Sequence, residues 1–337
     1  MNSDIDIVLP WVDGSDPKWR KLKEKICKTE YPEKTANSNI RYESWDNLHY
    51  WFRAIEKNMP WVHKIFLLTW GHLPAFLDVQ HPKLAIVRHE DYIPSEYLPT
   101  FNSNTIEMNV HRIASLAENF ILFNDDVFPL QQIAETYYFQ DDIVCDEAVE
   151  NIIVTAAMGP IANLARYMQV NNMMIINRHF KKRAVQEKNW EKWHCRDYGE
   201  LLDRTLSLQY WNDFPGFHDP HMANALKKSV LQKIWDLEIL ELDKASRGKF
   251  RSYTDVSQYL VRYWQLCEGE FWPRRTLGKM CLVNKENCGE YADGILRRKW
   301  QMVSLNEDCT EREFEMIKRE INGALEKVFP EKSSFER

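Results

Sequence analysis

Ile5-Asp6-Ile7-Val8-Leu9, running into Trp11-Val12-Asp13-Gly14-Ser15-Asp16-Pro17, sets the reading of this 337-residue chain. A short β-rich apolar run that ends in a loop of Asp, Gly, Ser and Pro is a strand carrying polar groups to a sheet edge. The same grammar recurs downstream. Leu48, Trp51, Phe52 and Ile55 follow helical spacing until Pro60 ends the pattern. Ile65-Phe-Leu-Leu-Thr69, Leu84-Ala-Ile-Val87 and Phe120-Ile-Leu-Phe123 read as further strands, with a helix near Thr105 to Glu118 between the last two. Strands separated by helices predict a mostly parallel sheet with both faces covered, an α/β fold.

After Pro129 the β signal thins, and Ala223 to Trp264 reads as largely helical. A capping box, Thr310-Glu-Arg-Glu313, opens a last amphipathic helix with Phe314, Ile317, Ile321, Leu325 and Val328 on one face. At ~150 residues per domain the length suits about two units. The expected division is a sheet part over residues 1–134, an insertion over 135–210 and a helical part over 211–337 that caps the sheet.

Composition excludes some classes. Fifty Asp and Glu against 44 Lys and Arg give a net charge of −6, which argues against a nucleic-acid partner. Seven cysteines, an odd number without a CxxC pair, suggest reduced thiols rather than a disulfide framework or a zinc site. No basic segment precedes Asp4, so no signal peptide is expected. No apolar run approaches the ~20 residues needed to cross a bilayer. The expected location is cytoplasmic, soluble or peripheral.

In open α/β sheets, ligands bind beyond the carboxyl ends of the strands, and three polar clusters stand there. In the first, Trp11 to Asp16, glycine permits close backbone approach, Trp11 can stack on a base and the aspartates can bond ribose; the plain alternative is an Asp/Gly/Pro turn. The second is Asn124-Asp125-Asp126. Two adjacent carboxylates at a strand end repel unless a cation neutralises them, and Mg²⁺ typically takes one or two carboxylates plus substrate phosphates; the alternative is a solvated turn. Asp141-Asp142 follows no such strand and reads as a solvated loop. In the third, Thr100 to Arg112, a helix starting near Asn104 would offer free N–H groups to phosphate, with Glu107 and His111 on one face. Asn104 and Glu107 also have capping-box spacing.

His218-Asp-Pro-His221 lacks a third metal ligand nearby, so one histidine acting as a proton shuttle is the better reading. Arg178 to Arg196 holds seven basic residues against Glu187 and Glu191, interleaved with Phe180, Trp190 and Trp193. It reads either as a solvated face or as a surface for an anionic membrane or polymer.

The order and spelling of these clusters resemble one family, the Stealth proteins, which include bacterial capsule and exopolysaccharide hexose-1-phosphate transferases and are related to animal N-acetylglucosamine-1-phosphotransferase. The first region of resemblance is Ile5 to Val8 with Trp11 to Pro17. The second takes in Arg41-Tyr42, Asp46, Arg53-Ala-Ile-Glu56, Pro60-Trp-Val62, Leu98 to Ser103, Ile106-Glu107, His111-Arg-Ile113 and Phe123 to Asp126. The third is His218-Asp-Pro220 with Lys227-Lys-Ser229, and the fourth is Phe250-Arg-Ser252 with Asp255.

The resemblance implies a Rossmann-like, mostly parallel nucleotide-sugar-binding sheet of the GT-A-like kind with a mainly helical C-terminal part. It implies transfer of hexose-1-phosphate or N-acetylhexosamine-1-phosphate from a UDP-sugar donor to a glycan or lipid-linked polysaccharide acceptor, with release of UMP. Asp125 and Asp126 would hold Mg²⁺ or Mn²⁺. Asn102, Ser103, Arg112 and Arg251 would bind phosphate, and Asp6, Trp11, Asp13 and Gly14 the nucleoside. Glu107 and Arg251 join the active site, with His218 as general base and Asp126 as its rival. Two other readings share the sheet: a metal-dependent glycosyltransferase releasing UDP, and a non-catalytic polysaccharide-binding protein.

Overall fold

The computed structural model describes residues 3–30, 44–155 and 159–337; Arg41 and Tyr42 lie outside them. In chain order the strands are β1 (Ile5–Pro10), β2 (Ile65–Thr69), β3 (Leu84–Arg88), β4 (Asn119–Leu122), β5 (Val127–Pro129), β6 (Phe139–Gln140), β7 (Ile143–Asp146), β8 (Asn224–Lys227), β9 (Phe271–Pro273), β10 (Lys279–Val283) and β11 (Met302–Glu307). The central sheet has the order β3-β2-β1-β4-β8. Its first four strands are parallel, and β8 runs antiparallel to β4 with Asn224 opposite Leu122. This is the α/β, Rossmann-like sheet the sequence predicts. Strand β2 is buried along its whole length and β1 along all but its last residue, as strands covered on both faces must be.

The chain winds outward from β1 through β2 to β3, then returns across β1 to form β4. The reversal falls between β1 and β4, and the crevice beyond their carboxyl ends is the place such sheets offer a ligand. Local sequence builds its rim. Asp16 caps the helix Pro17–Glu30, accepting from the N–H groups of Lys18 (2.8 Å) and Trp19 (3.0 Å), and Pro17 opens the helix where a missing N–H costs nothing. The helix Leu48–Asn58 buries Trp51, Phe52 and Ile55 in the core, as its periodicity requires. The last helix, Glu311–Val328, has the expected Thr310/Glu313 capping box and buries all five residues of its apolar face.

The structure departs from the sequence reading at three places. The helix expected near Thr105 to Glu118 is a six-residue helix, Ser103–Met108, followed by one 3₁₀ turn, Val110–Arg112. Glu107 and His111 therefore do not share one helix face. The segment from Ala223 begins with β8, not helix, before the helices Lys228–Leu237, Ile239–Arg247 and Tyr259–Glu268. Finally, β10 and β11 form a parallel pair, and β11 adds antiparallel to β5, the strand that starts one residue after Asp126. The C-terminal part thus supplies strands as well as helices, and one hydrophobic core runs through all three segments from Ile5 to Phe335.

Asp141 and Asp142 form the two-residue turn between β6 and β7, both at positive φ (51° and 60°), the conformation tight hairpins favour. Asp142 accepts from Asn119 at 3.0 Å, and the solvated-loop reading suffices for this pair. Among the described residues no helix is long and apolar enough to cross a membrane.

Candidate active site

The loop leaving β1 is shaped by its neighbours. The Asp13 N–H donates to His72 Nε2 (2.8 Å), and the Asp13 carboxylate accepts from the Ser15 N–H (2.8 Å). The Gly14 carbonyl accepts from the Arg20 guanidinium, and the Trp11 ring meets His72 edge-on with centroids 5.3 Å apart. It is built as a polar turn, and it stands at the mouth of the crevice. Trp11 and Asp13 are half-buried there, where a ligand can meet them, whereas Gly14 is buried and serves the turn rather than the nucleoside. Asp6 is not. It sits near the amino end of β1, buried, with its carboxylate bonded to His63 Nδ1 (2.8 Å) and the Ala117 N–H (2.8 Å). A nucleoside role for Asp6 is corrected to a structural one, joining the entry to β4 with the entry to β2.

Asp126 is the hub of the crevice. Its Oδ2 accepts from Ser304 Oγ (3.0 Å) and Asn306 Nδ2 (2.7 Å), both on β11, and lies 3.5 Å from His221 Nε2. Its Oδ1 is buried and has no hydrogen-bond partner among the described residues. Burial opposes charge on His221, but the hydrogen bond and charge of Asp126 outweigh it and raise the imidazole pKa above its ordinary value. His221 stands at φ +54°, a left-handed conformation that non-glycine residues adopt mainly where the surroundings hold them.

Asp125 is exposed on the loop that leaves β4. Although its side chain is exposed, the protein around it and after that the Asp126 charge raise its carboxyl above the ordinary value. Two adjacent carboxylates, one raised by its surroundings and the other with an orphaned buried oxygen, fit a divalent cation that completes its shell with water and substrate phosphate. Among the described residues no cluster of three or more His, Cys, Asp or Glu is placed to hold a metal ion, so a cage made wholly of such side chains is not built here.

The opposite wall comes from the helix Ser103–Met108 and the segment after Phe250. Trp19, Phe101 and Phe250 form a small cluster against Val12, and Phe101 stacks on Phe250 at 5.2 Å. This packing brings Arg251 to Ser103, whose Oγ accepts from the guanidinium at 2.6 Å. Burial pushes Glu107 up to about 7, partly offset by Arg251, the Ser103 hydroxyl and His221. Glu107, Ser103, Arg251, His221 and Asp126 are thus one electrostatic group.

Asn102 is adjacent but committed. Fully buried, it caps the helix through the Asn104 N–H (3.1 Å) and donates to Asp255 (2.8 Å). The helix start predicted for phosphate is a single capped turn, so Arg251 is the group left to meet an anion.

Two more assignments change. Arg112 lies outside the crevice, packed 4.8 Å over the Trp235 ring and bonded to Asn109 (3.0 Å), so it is no phosphate clamp. His218 turns to Glu147, its Nδ1 2.5 Å from Oε1, and lines a cavity of about 280 Å³ with Pro220, Arg275, Thr276 and Lys279. None of the Asp126 group lines it. The histidine beside Asp126 is His221, whereas the sequence reading of the pair placed the proton-shuttle role on His218. Its placement follows from β8, which runs back along β4 and sets the residues before Asn224 against the Asp126 loop; that strand was not read from the sequence. Ser304 and Asn306 were missed for the same reason.

The basic segment is also partly dismantled. Lys182 is fully buried and paired with the equally buried Glu150 at 2.8 Å, and Arg178 is paired with Glu238. Lys192 donates to the Gly269 carbonyl, and Trp193 is in the core. Lys181, Arg183, Lys188 and Arg196 remain exposed, too few to carry a membrane surface alone.

Comparison with known proteins identifies the family. The family model described as Stealth protein CR1, conserved region 1, matches residues 3–26, and that of CR2, conserved region 2, matches residues 41–146. A capsular polysaccharide phosphotransferase of Streptococcus pneumoniae, WcwK, is 36% identical over 334 residues, covering 99% of this chain and 98% of its own. An exopolysaccharide phosphotransferase of Lactiplantibacillus plantarum is 34% identical over 340 residues, covering 99% of this chain and 96% of its own. The receptor polysaccharide phosphotransferase WefC of Streptococcus oralis is 31% identical over 339 residues, covering 98% and 99%. Similarity of this extent over the whole length, with Ser103, Glu107, Asp125 and Asp126 inside the matched regions, settles the assignment: the chain is a transferase of the Stealth family, the family of the bacterial polysaccharide phosphotransferases.

Proposed function

We propose that the chain transfers a sugar-1-phosphate from a UDP-sugar to a hydroxyl of a surface polysaccharide, on the cytoplasmic side of the membrane, with release of UMP. The observation that carries the reading is the grouping of His221, Asp126, Glu107 and Arg251 around one crevice at the carboxyl ends of β1 and β4. Phosphoryl transfer needs positioning and charge neutralisation more than covalent catalysis, and the group offers both. The hexose-1-phosphate itself, or its N-acetylated counterpart, is the unit that a phosphotransferase acting on polysaccharide would move.

In this reading the acceptor oxygen attacks the sugar-bearing phosphorus, the phosphoanhydride bond to the UMP phosphate breaks, and the acceptor proton passes to His221 Nδ1, the ring nitrogen that does not face Asp126. His221 is suited to the task, because Asp126 raises its pKa and stabilises the imidazolium that forms. Arg251, held against Ser103, presents a planar cation to the oxygens of the transferring phosphate. Glu107 balances that cation and keeps it within the crevice. Trp11 and Asp13 stand where the nucleoside would lie. Mg²⁺ or Mn²⁺ on Asp125 and Asp126 would supply positive charge for the diphosphate.

The test is an assay of the purified protein with a panel of UDP-sugars, Mg²⁺ or Mn²⁺, and short acceptor glycans, with the released nucleotide identified by chromatography. UMP supports the reading. UDP as the sole nucleotide product identifies a glycosyltransferase, and no turnover with any donor removes the catalytic proposal.

A further inference from the structure

The acceptor is a polymer, and more of it than one hydroxyl must rest on the enzyme. Two exposed aromatic rings stand beside the crevice. Tyr253 is 48% exposed and Tyr167 45% exposed, and they meet edge to face with centroids 4.7 Å apart. Both are tied to the site from behind. Tyr253 lies two residues from Arg251, so the two backbones are at most about 7 Å apart, roughly one sugar ring. Tyr167 precedes Met168, whose sulfur accepts from Asn104 Nδ2 at 3.0 Å, in the helix that carries Ser103 and Glu107.

The pair is also rigidly mounted. The Asn171 side chain donates to the carbonyls of Tyr253 and Asp255, each at 2.8 Å, clamping the loop onto the helix Gly159–His179. Asp255 in turn accepts from Asn102 and Ser252. Val170 and Met174 extend the exposed stripe along the same helix, away from the crevice.

Resting on the polysaccharide-transfer reading, we infer that the Tyr167–Tyr253 pair is a platform for the acceptor glycan, stacking the apolar face of the sugar next to the attacking hydroxyl. Carbohydrate explains the composition better than lipid or protein. Sugar rings pair a C–H face with a hydroxyl rim, which suits an aromatic ring carrying a phenol. A membrane surface would want several free cations around the stripe, and the basic residues beside the pair, Arg166 and Arg251, are each held by a neighbouring side chain, Gln169 at 3.0 Å and Ser103 at 2.6 Å.

The experiment uses the whole chain and oligosaccharides made by partial hydrolysis of the surface polysaccharide of the strain that encodes it. Saturation-transfer NMR should show sugar C–H protons contacting aromatic protons in the wild type. Tyr253→Ala and Tyr167→Ala should each raise the acceptor KM roughly tenfold, the size of one aromatic contact. Tyr253→Phe should stay within about threefold of wild type, since stacking needs the ring rather than the hydroxyl. Nucleotide released to water in the absence of acceptor should be unchanged in all three. Unchanged acceptor KM in both alanine variants, no saturation transfer, or equal loss of acceptor-free release would overturn the platform. The NMR arm needs no turnover, so failure of the transfer reading and failure of the platform are told apart.

Discussion

Exchanging the two histidines one at a time separates catalysis from structure. His221→Asn is the cleaner cut, because asparagine tolerates the left-handed backbone at this position better than other polar residues. His221 is about a third exposed and makes one polar contact in its side chain, 3.5 Å to Asp126, so folding should change by less than about 1 kcal/mol. Turnover should drop ~10²–10⁴-fold, the usual contribution of a positioned general base. His218→Asn should do the reverse. Glu147 is wholly buried, and although burial alone would raise it, the hydrogen bond from His218, the Arg262 charge and the Thr276 N–H bring its carboxyl down to about 2. A drop from about 4.5 to about 2 corresponds to roughly 3 kcal/mol in all, of which His218 supplies the largest favourable share.

Because the folded pKa is depressed, that stability is present above about pH 4.5 and is lost as pH falls towards 2. At pH 7 His218→Asn should cost about 1–3 kcal/mol in urea unfolding, with kcat at saturating substrate within tenfold of wild type. Nucleotide release and urea midpoints, measured on both variants at pH 7, decide the matter. Full stability with abolished turnover in His218→Asn, together with an active His221→Asn, would refute the assignment.

Further expectations follow from burial. Lys182 and Glu150 form an ion pair with no exposed surface, so Lys182→Met should destabilise by about 3–5 kcal/mol and Lys182→Met with Glu150→Leu should recover most of it, as read by urea midpoints. Burial depresses His89 to about 4 and His111 to about 3. Both stay neutral in the fold, so their stabilising contribution is complete above about pH 6.5 and falls as pH drops towards 4, visible as a falling melting temperature over that window. Gly216 sits at φ +146° with an added Cβ only 2.6 Å from the Asn151 carbonyl oxygen. Gly216→Ala should therefore cost about 1–3 kcal/mol by the same unfolding measurement.

The sheet was legible because its strands are local. Ile5 to Leu9, Ile65 to Thr69 and Leu84 to Val87 are apolar runs bounded by turn residues, and all three form strands where they were read. The terminal helix was legible for the same reason, since its cap and its stripe lie within 19 residues of sequence. The crevice was harder. Asp125 and Asp126 announce themselves as paired charges at a strand end, but their partners come from β8 and β11, short strands whose weak patterning becomes β only by pairing with β4 and β5. Without β8 nothing in the sequence tells His221 from His218. Asp6 misled because it precedes the loop closely in sequence, while the four strand residues from Ile7 to Pro10 carry it to the other end of the sheet.

The most direct test of the account follows one atom. A UDP-sugar carrying ³²P at the phosphate next to the sugar is incubated with the enzyme and an acceptor glycan, and the polymer is separated from the nucleotide. The account predicts that the label enters the polymer in proportion to the sugar and that UMP is unlabelled; label retained in UDP, with phosphorus-free sugar in the polymer, would contradict it.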